Sequence, residues 1–217
     1  MTEAEWLACT DPAPMLEFLC DKVSERKLRL FAAECCHRTR DLFDDPWSQE
    51  AVRIAERLAT GSVGAVEREM AWDETMYDLE CVESGTEGDA VWFARLTAHN
   101  ALASGAYRAA QMAASSAIHT FPDLAFREIL ANAVRDIFAN PFRPAIVVAP
   151  DVFIWRGGLV PQLAASIHDA CDFGRLPVLA DALEDAGCVD AELLGHLRGP
   201  GMHVRGCFAL DLLLGKG

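Results

Sequence analysis

The sequence predicts an all-α protein, a compact multi-helix body followed by a small C-terminal helical lobe. Three observations carry this. Apolar residues recur at intervals of three and four through long stretches, the period of an α-helix with one buried face. Aspartate-proline pairs and similar punctuation mark helix starts. The only strand-like stretch, Ala145 to Pro150, is short and has no evident partner to pair with, so it reads as an extended connector.

The elements follow in chain order. Asp11-Pro12 and Asp45-Pro46 each join a capping carboxylate to a proline, which lacks the N–H that a first helical turn leaves unbonded. Across Arg26–Phe43, Leu28, Phe31, Ala32, Cys35, Leu42 and Phe43 fall on one stripe, with Glu34 and most charges away from it. Thr120 is placed to cap the next clear helix, and Asp123 suits its positive end. That helix has Phe126, Ile129, Leu130, Ala133, Ile137 and Phe138 as its stripe and stops at Asn140-Pro141. Further on, Pro177 opens a helix, Gly187 closes it, and Asp190 caps the next. The pattern gives roughly nine to eleven helices. "NPFRP", with two prolines in five residues, divides a body of residues 1–140 from a lobe of 141–217. So small a lobe has a thin core and is expected to pack on the body.

Composition narrows the function. The 217 residues are 52% apolar, enough for a substantial core. Nineteen bases against 33 acids leave a net charge of −14 with no basic stripe in the sequence, which argues against nucleic acid or an anionic membrane surface as a partner. The acidic start "MTEAEWLACTDP" has no signal-peptide pattern, and no apolar run is long enough to span a bilayer. A cytoplasmic location is therefore expected, with the eight cysteines as free thiols. No C-x-x-C pair occurs.

Charge is uneven. Glu67 to Asp89 holds nine carboxylates and one base, Arg68. Either this is a solvated helix face followed by the loop "ESGTEG", or it is a docking surface for a basic partner, with Glu69, Asp73 and Glu80 as exposed contacts.

Four groups of residues bear on chemistry. Cys35 and Cys36 are adjacent and point about 100° apart on a helix, so they do not share one ion and read as core thiols. Glu34-x-x-His37 has the i, i+3 spacing of di-metal helix bundles, but none of the other five histidines has a glutamate three residues before it. His168, Cys171 and Asp172 stand at i, i+3 and i+4 on a probable helix face. They are candidate zinc ligands, to be completed by Cys188, His196, His203 or Cys207. The loop "RGPGMHVRG" combines three glycines and a proline with Arg198, His203 and Arg205, a set able to grip a phosphate or carboxylate. Its plain alternative is a turn with the arginines tied to nearby carboxylates. No G-x-S-x-G, Walker or Rossmann pattern is present.

The stretches "MTEAEWLACTDPAPMLEFL", "RKLRLFAAECC", "RDIFANPFRP", "LPVLADALEDAGC" and "GPGMHVRGCFALDLLLGK" resemble a heavily duplicated family of bacterial proteins. The resemblance covers about residues 1–60 and 130–217 and implies no particular activity. "LADALEDAG" is similar to a helical signature of bacterial domains that accompany repeat proteins, which implies an interaction role. The resulting expectation is a non-enzymatic protein–protein interaction module with no cofactor and no bound metal. The alternative is a metal-binding or hydrolytic enzyme built on the C-terminal His and Cys residues and the glycine loop.

Overall fold

The computed structural model describes residues 1–81 and 88–216. Most of the "ESGTEG" stretch, including Glu83 and Glu87, therefore lies outside the described residues. Thirteen α-helices and three 3-10 turns make up the regular structure of the described residues, and no strand occurs among them. The all-α expectation holds. The helix count exceeds nine to eleven because several helices are five to eight residues long, too short for a periodic stripe.

The chain forms two compact units, Met1–Arg135 and Asp136–Gly217. In the first, α1 (Glu3–Ala8), α2 (Pro12–Leu19) and α3 (Glu25–Thr39) are followed by α4 (Pro46–Ala59), α5 (Ala65–Cys81), α6 (Asp89–Ala101) and α7 (Ala106–Thr120). The helix α8 (Leu124–Phe138) contains the division between the units. Local chemistry sets the starts. Asp11 accepts from the Ala13 N–H at 2.9 Å, and Asp45 from the Ser48 N–H at 2.7 Å, each with proline at the first helical position. Thr2 and Glu5 form a reciprocal capping box on α1.

Two expectations are corrected here. Thr120 does not cap α8. It is the buried last residue of α7, its hydroxyl donating to the Ser116 carbonyl, and Asp123 caps α8 by accepting from the Phe126 N–H at 2.6 Å. Asp123 stands three residues before Phe126, at the cap position, whereas Thr120 is still inside α7 with its hydroxyl directed at the Ser116 carbonyl. The helix read over Arg26–Phe43 ends at Thr39, and a 3-10 turn, Arg40–Leu42, delivers Phe43 to the core.

Helix α3 is central to the first unit and packs on α4, α6 and α7. Phe31, Cys35 and Cys36 are fully buried, so the vicinal cysteines are core thiols, with Cys36 directed at the Ala32 and Thr97 carbonyls. Helix α7 presents Ala106, Ala109, Ala110, Ala113, Ala114 and Ala117, all buried, and these small residues let α3 and α6 come close. Two arginines end helices from a distance. Arg29 donates to the carbonyls of Ala101, Ala103 and Ser104 at 3.2, 2.6 and 2.6 Å. Arg135 donates to the carbonyls of Trp6, Leu7 and Cys9 at the end of α1. Helices leave their last carbonyls without internal partners, and guanidinium groups here supply them.

His99 on α6 is buried against Trp72, ring centroids 3.8 Å apart, with Thr75 Oγ1 at 2.8 Å from Nδ1. Burial lowers its pKa to about 4. The unfolded chain protonates near the ordinary value of about 6.5, so it binds more protons than the folded chain between the two values. Stability is then expected to fall as pH drops from 6.5 towards 4. Urea midpoints across that range, compared with those of His99→Gln, check this. The variant should lose less of its stability on acidification, and parallel curves would contradict the assignment.

In the second unit the expected extended connector runs through Ala145–Ala149, with Ile146 and Val148 packed on the core. Then come α9 (Pro150–Ile154), α10 (Leu159–Ala170), α11 (Leu176–Asp185), α12 (Ala191–Arg198) and α13 (Phe208–Leu214). The core holds Val160, Ile167, Leu179, Leu183, Leu197 and Leu210, among others. Asp190 caps α12 through the Leu193 N–H at 2.9 Å. No helix among the described residues is long and apolar enough to cross a membrane.

Candidate functional site

Two places concentrate chemistry, one in each unit. The first is the outer face of α5. Ala71, Thr75 and Leu79 face inward and are buried. Val66, Met70, Asp73, Tyr77 and Glu80, at i, i+4, i+7, i+11 and i+14, share the opposite face of a 3.6-residue helix, and all are exposed. Val66 is 71%, Met70 58% and Tyr77 71% exposed, so large apolar side chains lie in water among the carboxylates of this face. Glu69 lies beside it, paired with Arg68 at 3.2 Å. Two other carboxylates of α5 point elsewhere and are engaged. Glu67 meets Arg57 at 2.6 Å, and Asp78 meets Arg95 at 3.3 Å. The sequence-predicted trio Glu69, Asp73 and Glu80 is thus brought onto one side of one helix. What sequence reasoning misses is the apolar part of the stripe. Its signal is Val66, Met70 and Tyr77 at helical spacing, hidden because the inward face is apolar too.

The second place is in the C-terminal unit. Asp136, near the end of α8, meets His196 of α12, His203 of the following loop, and Cys207, the residue before α13. Their four ligand atoms lie within 4.8 Å of one another. Asp136 Oδ1 is 2.8 Å from His203 Nδ1 and 3.2 Å from His196 Nε2. Cys207 Sγ is 3.2 Å from His196 Nε2 and 3.9 Å from His203 Nδ1. The carboxylate's other oxygen accepts from the Val204 N–H at 2.8 Å, which fixes its orientation. The Asp136 and His203 side chains are 2% and 7% exposed, and Cys207 is fully buried. Burial pushes the Cys207 thiol up, with the Asp136 charge adding to it. Burial also works to raise the Asp136 carboxyl, but hydrogen bonds from both histidines and from Val204 outweigh it and hold the group below its ordinary value.

The loop explains how these residues meet. Gly199, Pro200 and Gly201 turn the chain between His196 and His203, and Gly206, at φ +94°, sets up Cys207. A Cβ at Gly199 would lie 3.2 Å from the Gly195 carbonyl oxygen. Of the three loop residues singled out from sequence, only His203 joins the cluster. Arg198 is bound by Asp181 at 2.7 Å and Glu184 at 2.5 Å. Arg205 donates to Cys171 Sγ at 3.1 Å.

The set His168, Cys171 and Asp172 is corrected. Helix α10 ends at Ala170, and Cys171 takes a left-handed conformation, φ +50°, so the three do not share a helix face. His168 pairs instead with Asp169 at 2.9 Å and with Lys216 at 3.2 Å. Likewise Glu34 and His37 go separate ways, to Arg38 and Glu56. Asp136 escapes sequence reasoning altogether. Its signal is an acid set beside Ala133 and Ile137 in the apolar stripe of α8, where all three are buried.

No family model matches the chain, and no match is found among curated proteins or solved structures.

Proposed function

We propose that this chain is a cytoplasmic, non-enzymatic protein–protein interaction module, and that the outer face of α5 is its contact surface. The observation that carries the reading is the exposed stripe Val66, Met70 and Tyr77, interleaved with Asp73 and Glu80 and bordered by Glu69 and Glu74. Exposed apolar residues scattered singly need no explanation, but three on one helical line, alternating with carboxylates, offer a partner a mixed seam. The carboxylates define the partner's chemistry. It is a basic amphipathic segment whose apolar side covers the stripe and whose lysines or arginines meet the acids. The side chains of Asp73, Glu74 and Glu80 make no hydrogen bond or ion pair with another described residue, which leaves them available to a partner. The hydrolytic alternative is less favoured at Arg198, which is held by two carboxylates of its own unit, while Arg205 meets the Cys171 sulfur.

The test compares partners captured from host extract, with cross-links mapped by mass spectrometry. Two variants separate charge from contact. Glu69→Lys, Asp73→Lys and Glu80→Lys together should leave stability nearly unchanged, about 0.5 kcal/mol or less each. They should slow association and flatten its salt dependence, since attraction between solvated charges is screened over about 10 Å at 0.1 M salt. Met70→Ser with Tyr77→Ser should instead speed dissociation. Partners that bind both variants like the parent at low salt, with cross-links outside residues 66–80, would defeat the proposal.

A further inference from the structure

We infer that Asp136, His196, His203 and Cys207 form a structural zinc site that ties the C-terminal unit together. This goes beyond the interaction reading and does not rest on it. It runs against the sequence expectation of no bound metal.

Donor chemistry is the first argument. One thiol, two imidazoles and one carboxylate are the ligand types zinc takes, and four of them close a tetrahedral site. A deprotonated Cys207 and an ionised Asp136 bring two negative charges, which a divalent ion balances. Softer or harder ions fit less well. All-oxygen sets suit magnesium and calcium, and all-sulfur sets suit iron–sulfur clusters.

Geometry is the second. With zinc bonds of about 2.0–2.3 Å, tetrahedral ligands stand roughly 3.3–3.7 Å from each other. Four of the six distances here are 2.8, 3.2, 3.2 and 3.9 Å, which straddle that range, and all six are within 4.8 Å.

Proton accounting is the third. His196 Nε2 faces both Asp136 Oδ1 and Cys207 Sγ at 3.2 Å, yet a ring nitrogen carries at most one proton. Asp136 Oδ1 is also approached by His203 Nδ1. Both ring N–H groups can donate to Asp136 Oδ1, but the Cys207 sulfur then faces a nitrogen whose proton is already engaged, whereas a single cation meets all four atoms. A polar contact left unmet beside a buried carboxylate is costly.

Placement is the fourth. The ligands come from three sequence neighbourhoods: the end of α8, the α12–loop segment and the residue before α13. An ion there cross-links the two ends of a small unit, and such units commonly need this support. With four protein ligands no position stays open for water or substrate, so the ion is structural rather than catalytic. The glycine loop then has a role. It is the knuckle that lets His-x6-His-x3-Cys close on Asp136.

The experiment uses the full chain, expressed with zinc supplied and purified without chelator. Elemental analysis is expected to give about one zinc per chain. Exchange for cobalt should give d–d bands of tetrahedral intensity and a thiolate-to-cobalt charge-transfer band in the near ultraviolet. Cys207→Ser should lose the charge-transfer band, whereas Cys171→Ser and Cys188→Ser, in the same unit, should keep it. Should Cys207→Ser fail to fold, a band kept by both other variants leaves Cys207 as the one thiolate of the C-terminal unit able to give it, and loss of the bound zinc in His196→Gln places the ion in that unit. Substoichiometric metal in the parent, cobalt uptake without a charge-transfer band, or loss of that band in Cys171→Ser or Cys188→Ser would each overturn the assignment.

Discussion

Replacing Arg95 with methionine is expected to cost the protein about 3–5 kcal/mol, the loss typical when one member of a buried ion pair is removed and its partners stay charged. Arg95 lies on α6 with a side chain 8% exposed. Its guanidinium is 3.2 Å from Asp45, which caps α4, and 3.3 Å from Asp78 of α5. Asp45 is as deeply placed, 9% exposed, and Asp78 is 20% exposed. One cation therefore holds two carboxylates from two other helices, and methionine leaves both without it in a region of low dielectric. Asp78→Asn should cost less than Arg95→Met, because it removes a charge instead of stranding one. Urea unfolding followed by circular dichroism measures both. A double-mutant cycle on Arg95 and Asp78 should show a coupling above about 0.5 kcal/mol, the usual mark of residues in contact. A loss below about 1 kcal/mol for Arg95→Met, the range of exposed pairs, would mean that water already neutralises the pair.

Arg29→Met should lower stability by about 2–3 kcal/mol, the net of two terms. The arginine is 7% exposed and stands on the inner side of α3. It supplies the carbonyls of Ala101, Ala103 and Ser104, where α6 ends and turns towards α7. Ala101 and Ala103 are buried, so their oxygens have no easy recourse to water, while Ser104 is exposed. Each stranded buried acceptor costs about 1–3 kcal/mol, and the desolvation of the guanidinium that methionine relieves offsets part of the sum. Lysine at this position should recover little. Its ammonium is a compact point donor, whereas the guanidinium reaches three oxygens from a planar fork. Equal stabilities of the Lys and Arg proteins would show that charge, not the fork, ends α6.

Most of the helical architecture is legible in the order of residues alone, for a reason visible at particular positions. Asp11, Asp45 and Asp190 cap within three residues of their own position, and Pro12, Pro46 and Pro177 act on their own turn. Such effects are decided by neighbours along the chain. The stripe Phe126, Leu130, Ala133 and Ile137 is likewise a property of a 3.6-residue period, and all four are buried. Even Thr120 against Asp123 is a contest among local donors and acceptors, which the carboxylate wins.

Tertiary structure decides the rest. Arg29 and Arg95 look in the sequence like solvated charges on amphipathic helices, and only the arrival of α6, α4 and α5 makes them interior. In the C-terminal unit, spacing points to His168, Cys171 and Asp172, which are close in sequence. The left-handed turn at Cys171 separates them, and folding gathers Asp136 with His196, His203 and Cys207 from 60 or more residues away. Proximity in sequence fixes a contact only within a helical turn or a tight loop. Beyond that range, which side chains meet depends on how buried faces pack, and a polar group without a local partner takes whichever partner that packing brings.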